Sequence, residues 1–230
     1  MTKPALFAAL TAVAALGVLA PVWAQESESA GQTAAPATEQ AAPADPAVAS
    51  AEITIPDMVQ GAEDAPVTVI EYASYTCPHC AAFHGDQYQR LKDDYIDAGK
   101  VKYIFREVYF DRFGLWASMV ARCGGEMRFF GLTEVLYEQQ RDWVGEGDPA
   151  AIGDNLRRIG RAAGMDDATL DACLQDEAQA EALVAWFQEN AQADGIESTP
   201  TLIINGEKHS NMAYDELKAI IDAELAEAGQ

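Results

Sequence analysis

The sequence predicts an α/β fold interrupted by an inserted helical domain, and three observations predict it. Strand, helix and strand signals follow one another from Val67 to Phe110. Strand signals then vanish from Leu115 to about Ala193, and a short hairpin and a closing helix end the chain.

The elements follow in order. Met1 to Ala24 carries a single charge, Lys3, then an apolar run from Ala5 to Ala20 and the small-x-small pattern Val22-Trp23-Ala24. This predicts a secretory signal peptide cleaved after Ala24. The apolar run is shorter than the ~20 residues that span a bilayer and no basic cluster follows it, which weighs against a membrane anchor. No cysteine stands at the cleavage site, so nothing points to lipidation. Residues 25–50 are built almost wholly from Ala, Pro, Gln, Glu, Ser and Thr without an aromatic residue. Such a segment buries too little apolar surface to offset its ordering entropy and is expected to be a disordered tether. Residues 51–230 have the length of one domain with a large insert.

The formal charge of the chain is −22, and removal of the segment carrying Lys3 makes it one unit more negative. A surface of that sign repels nucleic acid and anionic lipid, so neither is expected as a partner.

Val67 to Ala73, VTVIEYA, is rich in β-branched residues and suits a buried central strand. It runs into Cys77-Pro78-His79-Cys80. Pro78 fits a first helical position, where its missing N–H has no partner to lose, so Cys77 falls at a helix N-terminus. Phe83, Tyr88, Leu91 and Tyr95 then mark one helix that stops by Gly99, and VKYIFREVYF from Val101 to Phe110 is the next strand. That order implies a parallel βαβ unit with a right-handed crossover. The helical insert, about residues 112–194, shows four apolar faces: Trp116, Met119, Val120 and Cys123; Ile152, Leu156 and Ile159; Leu170, Cys173 and Leu174; Leu183, Trp186 and Phe187. Gly124-Gly125, Gly145-Glu146-Gly147 and Gly164 punctuate it. Thr201 to Ile204, the hairpin signal Asn205-Gly206 and a short strand around Lys208-His209 restore the sheet. A last helix carries Tyr214, Leu217, Ile220, Ile221 and Leu225, with Ser210 or Asn211 as its cap. The whole order is that of a thioredoxin-like fold with an inserted helical domain. Pro200, following Thr199 just before a buried strand, sits where a cis bond in a tight turn is an alternative to an awkward trans proline.

A C-x-x-C can hold metal, anchor haem or exchange electrons as dithiol and disulfide. Haem attachment wants histidine after the second cysteine, where Ala81 stands. Zinc wants two such pairs or added histidines, but Cys123 and Cys173 are lone residues on separate helices. His84 can serve as a third ligand to copper beside the two thiols, although an exposed surface histidine is the favoured reading of it and of His209. Neither a metal nor another cofactor is therefore assigned. The favoured reading is redox, with a copper-binding thiol module as the alternative. At a helix N-terminus the dipole and unpaired N–H groups favour thiolate, which makes Cys77 the attacking sulfur; His79 can add positive charge or a hydrogen bond. Stabilising the reduced form makes the disulfide a stronger oxidant. Cys80, one turn on and facing inward, is the resolving thiol. Glu71 has two readings: a strand-end carboxylate reaching solvent, or a buried one that takes and returns the Cys80 proton. Arg106 on the next strand is a candidate partner for Glu71, with Glu107 as a local alternative partner for Arg106.

EYASYTCPHC from Glu71 to Cys80, TPTLIING from Thr199 to Gly206, and a helical block between them strongly resemble the DsbA family of periplasmic thiol-disulfide oxidoreductases, over roughly residues 51–230. The dipeptide Pro78-His79 is the one typical of DsbA. The resemblance implies that Cys77 is the exposed nucleophile, Cys80 its buried partner and His79 the thiolate stabiliser. Thr199 and Pro200 would form a cis-proline loop that pairs with an extended substrate segment, and Glu71 would be the carboxylate beneath the site. It further implies a periplasmic monomer acting as a dithiol oxidase on unfolded or reduced exported proteins and reoxidised by a membrane partner of DsbB type. Threonine before the proline looks more like the disulfide isomerases DsbC and DsbG, which keeps an isomerase or reductase with a DsbD-type partner as the alternative. Cys123 and Cys173 lie on apolar helix faces in an exported chain with an even cysteine count, as in DsbA-like proteins of alphaproteobacterial type, and a structural disulfide between them is expected.

Overall fold

The computed structural model describes residues 53–229, so the signal-peptide and tether expectations, residues 1–24 and 25–50, lie outside the described residues. β1 (Met58–Gln60), β2 (Val67–Ala73), β3 (Val101–Glu107), β4 (Thr201–Ile204) and β5 (Glu207–Ser210) form a mixed sheet in the order β1-β3-β2-β4-β5. β2 and β3 run parallel; the other neighbours are antiparallel. β2 is therefore the central strand, as its β-branched run requires. β1 was not expected: three residues are too few to show alternation. The β4–β5 loop takes the left-handed backbone that a two-residue hairpin needs, with Asn205 at φ 45° and Gly206 at φ 91°.

The helix expected from the cysteine turn to Gly99 is broken into α1 (Pro78–Gly85), α2 (Gln87–Leu91) and a π-helical turn, Lys92–Ile96. Asp86 leaves helical geometry between α1 and α2, at φ −136° and ψ −73°. The cause is spacing: Phe83 and Tyr88 are too far apart in sequence to share a face of one regular helix. The break and the wider π turn bring Phe83, Tyr88, Leu91 and Tyr95 all into the core.

The insert comprises α3 (Arg112–Cys123), α4 (Glu126–Glu138), α5 (Gln140–Val144), α6 (Pro149–Ala162), α7 (Asp167–Leu174) and α8 (Glu177–Ala193). α4 and α5 go beyond the four faces read from the sequence. Between them they bury Phe129, Leu132, Leu136 and Trp143. The bidentate Arg122–Glu107 pair, at 2.7 Å through both Nε and Nη2, ties α3 to the end of β3. α9 (Tyr214–Glu227) starts after Ala213 and has no side-chain cap, contrary to the expectation for Ser210 or Asn211. Asp215 and Glu216 in its first turn instead face the positive end of the helix dipole.

Cys123, the last residue of α3, is disulfide-bonded to Cys173 of α7 with the Cα atoms 6.0 Å apart. The bond closes a loop of 50 residues, so loop-closure entropy sets its contribution at about 3–4 kcal/mol. The Cys123→Ala/Cys173→Ala protein is expected to lose that much in a urea titration at fixed redox state of Cys77 and Cys80. A loss below about 1 kcal/mol would show that helix packing alone closes the loop.

Candidate active site

The site is built where β2 ends. Ser74 O accepts from Cys77 N at 3.1 Å, which turns the chain sharply, and Pro78 is the first residue of α1 with Cys77 as its N-cap. Across from it, β4 is preceded by Thr199 and Pro200, joined by a cis peptide bond. This loop reaches the cysteines: Cys77 Sγ donates to Thr199 O at 3.6 Å. Thr199 and Pro200 thus stand against the cysteine turn although more than a hundred residues separate them in sequence.

Cys77 and Cys80 are both free thiols, and their surroundings push them in opposite directions. The Cys77 thiol is lowered to about 5, first by a hydrogen bond from Cys80, with further help from Thr199 and the backbone N–H groups of Cys80 and His79, against the opposing effect of burial. The Cys80 thiol is pushed far above the ordinary thiol range by burial, by its hydrogen bond to Cys77 and by the charge of Glu71. Cys77 is 9% exposed and Cys80 0%. The exposed nucleophile expected of Cys77 is thus a mostly covered one, because the Thr199–Pro200 loop lies against its sulfur. The His79 side chain faces solvent, and its contribution to the thiolate comes through its backbone N–H.

Glu71 is fully buried, which excludes the strand-end reading. Its carboxylate accepts from the Tyr103 hydroxyl and pairs with His84 Nε2 at 3.0 Å. Arg106 is not its partner. The parallel register sets Glu71 opposite Phe105 and Tyr72 opposite Arg106, so Arg106 points to the other face of the sheet. There it pairs with Asp57, through Nε and Nη2 at 2.9 Å each, and with Asp194. Glu107 pairs with Arg122 instead. His84, read as a surface residue, is 3% exposed. Its place four residues after Cys80 on α1 was the available signal, since that spacing puts both on one helix face. His209 is half-buried, with Nε2 enclosed. Among the described residues no group of three or more His, Cys, Asp or Glu side chains is arranged to hold a metal ion.

A family model described as thioredoxin matches residues 54–223. The chain is 33% identical over 178 residues to disulfide bond formation protein D of Bacillus subtilis, covering 73% of this chain and 76% of that one. The crystal structure of Wolbachia pipientis alpha-DsbA1 superposes with a TM-score of 0.69 at 27% identity, over 76% of this chain and 94% of that one. The chain belongs to the DsbA family of thioredoxin-like proteins. Its sequence also matches a Rickettsia bellii relative that bears a provisional protein-disulfide oxidoreductase name, at 33% identity over 173 residues and 75% of this chain; it spans 66% of that relative's length.

One residue of this DsbA-family site carries no sequence signal. Gln140 of α5 is buried, and its side-chain N–H group donates to Tyr75 O at 2.8 Å and to Cys77 O at 3.0 Å. It pins the cysteine turn to the insert by its backbone carbonyls. A lone glutamine in a short helix gives no hint of that from sequence.

Proposed function

We propose that the chain is a periplasmic thiol-disulfide oxidoreductase that acts as a dithiol oxidase on reduced exported proteins through Cys77-Pro78-His79-Cys80. The observation that carries this reading is the split between the two thiols: a Cys77 lowered to about 5 leaves readily as thiolate, and a buried Cys80 does not.

A substrate thiolate attacks Cys77 Sγ of the enzyme disulfide; the Cys77–Cys80 bond breaks and Cys80 leaves with the electron pair, taking a proton relayed by Glu71. A second substrate thiolate attacks the substrate sulfur of the mixed disulfide. The new substrate disulfide forms, and Cys77 is expelled as thiolate. Thr199 and Pro200 present an edge to which an extended substrate segment adds by backbone pairing. Two electrons now rest on the enzyme, and a membrane partner of DsbB type takes them. The Cys123–Cys173 bond takes no part and is structural. Residues 1–24 as signal peptide and 25–50 as tether complete this reading, with residues 51–230 as a monomeric catalytic domain.

Thr199 ahead of Pro200 favours a second reading, an isomerase or reductase kept reduced by a DsbD-type partner. Two ribonuclease assays separate them. The oxidised protein is expected to form disulfides in reduced, unfolded ribonuclease in stoichiometric amount. The reduced protein is expected to leave scrambled ribonuclease inactive. Rapid recovery of scrambled ribonuclease, with poor oxidation of the reduced form, would install the isomerase reading instead.

A further inference from the structure

Beneath the cysteine turn lies a buried polar cluster that nucleophilic attack by Cys77 does not use. The imidazole of His84 is stacked between the rings of Tyr137 and Tyr88, with centroids 4.2 and 4.5 Å away. Its Nε2 is bonded to Glu71 Oε2. Three buried atoms in the cluster have no partner: Glu71 Oε1, His84 Nδ1 and the Tyr137 hydroxyl. His84 also borders a surface hollow of about 260 Å³ that it shares with Gln89, Glu134, Tyr137 and Glu138. His84 therefore lies between a carboxylate sealed from solvent and an acidic hollow at the surface.

A purely structural role does not account for this choice of residue. A phenyl ring would fill the same stack, and burying an imidazole with a nitrogen unpartnered is costly. What imidazole adds is two nitrogens that can take a proton on one side and release it on the other near neutral pH.

We propose that His84 carries protons between Glu71 and solvent during the Cys80 half of the exchange, as a positioning residue that acts through Glu71. The proposal rests on the thiol-disulfide reading above. In reoxidation by a disulfide, the Cys77 thiolate first forms a mixed disulfide and expels one thiolate. Glu71 then takes the Cys80 proton, and the Cys80 sulfur attacks Cys77 Sγ. The bond from Cys77 to the partner sulfur breaks, and the partner leaves as a second thiolate. Glu71 passes its proton to His84 Nε2, and the proton on Nδ1 departs through the hollow. When a substrate is oxidised, the same path runs inward and protonates the departing Cys80. The groups facing His84 are Glu71 and, through it, Tyr103 from the sheet, Tyr88 from α2, Glu134, Tyr137 and Glu138 from α4, and Cys80 from α1. None of them is cationic, so a transient imidazolium meets no repulsion.

The test follows reoxidation of the reduced full chain by oxidised glutathione, from about pH 5 to pH 9, with acid quench, alkylation and mass analysis to separate the mixed disulfide from the closed one. Wild type, His84→Gln and Glu71→Gln are compared, and the Cys77 thiolate is titrated by ultraviolet absorbance in each. His84→Gln is expected to keep the Cys77 titration and the rate of mixed-disulfide formation. Its resolving step is expected to slow about tenfold near neutral pH and to lose the wild-type inflection with pH. Wild-type kinetics in His84→Gln beside a slowed Glu71→Gln would overturn the proposal and leave Glu71 as the relay. Wild-type kinetics in both variants would remove the Glu71 relay too, and a wild-type protein forming no mixed disulfide would remove the activity itself. Should His84→Gln fail to fold, the imidazole ¹⁵N resonances of the wild type decide: the relay leaves the neutral ring's proton on different nitrogens in the oxidised and reduced proteins, and the same tautomer in both would overturn the proposal.

Discussion

Cys77→Ser is expected to abolish dithiol oxidation, by on the order of 10³-fold or more, and Cys80→Ser to stop it at a different point. The two cysteines are not equivalent. Cys77 stands at the start of α1 beside Thr199, where the proposed mechanism brings in the substrate sulfur, and Cys80 is buried. Without Cys77 the protein has no sulfur with a stabilised thiolate, since the Cys80 thiol is held far above the ordinary range. Without Cys80 the Cys77 thiolate still attacks an added disulfide and expels its leaving thiolate, but nothing resolves the mixed disulfide that results, so Cys80→Ser is expected to accumulate a covalent adduct with the peptide of an activated peptide disulfide. The check is non-reducing electrophoresis with mass analysis after mixing each variant with an activated peptide disulfide. Adduct on Cys80 in the Cys77→Ser protein, at a rate like that of Cys77 in wild type, would reverse the assignment.

The reduced protein is expected to lose stability as pH falls from about 9 to about 5, and the oxidised protein to lack that component. The Cys77 thiol is lowered from 9.0 to about 5 in the folded state. Between those limits the unfolded chain holds a proton on Cys77 that the folded chain has released, so stability rises with pH by about 1.4 kcal/mol per unit. The contribution is fully present above the unfolded value, is lost as pH drops, and is gone below about 5. Its total is at most ~5 kcal/mol, reduced by solvent screening because the sulfur sits at the rim of the site. Cys77→Ala isolates it from the other titrating groups. Denaturation of the two reduced proteins at several pH values gives the difference directly, and a difference that stays flat with pH would mean that Cys77 is an ordinary thiol.

What the sequence disclosed about this site, and what it hid, divides along physical lines. Pro78 after Cys77 and Asn205-Gly206 after a β-branched run carry local backbone rules, so the helix start at the cysteines and the β4–β5 hairpin were legible. The approach of Thr199 to Cys77 was implied by the resemblance to the DsbA family and by no local rule. Partners of buried polar groups were not legible, because they depend on strand register and helix facing. Arg106 lies one residue beyond Phe105, the register partner of Glu71, and that one step sends it to the opposite face. His84 was misread although its spacing from Cys80 pointed inward. α4 escaped notice because Gly124-Gly125 dominates its start and adjacent Phe129 and Phe130 blur its period. The break at Asp86 was hidden for a similar reason, since an interrupted helix keeps its apolar residues while losing their regular spacing.

The central claim is that the cysteine turn accepts electrons. Equilibrating the protein across glutathione redox buffers, alkylating, and reading each cysteine pair by mass spectrometry tests it most directly. Cys77–Cys80 is predicted to be largely reduced already in mildly oxidising buffer while Cys123–Cys173 stays closed. A Cys77–Cys80 pair that remains oxidised until the buffer is strongly reducing would contradict the account and make the turn a reductant.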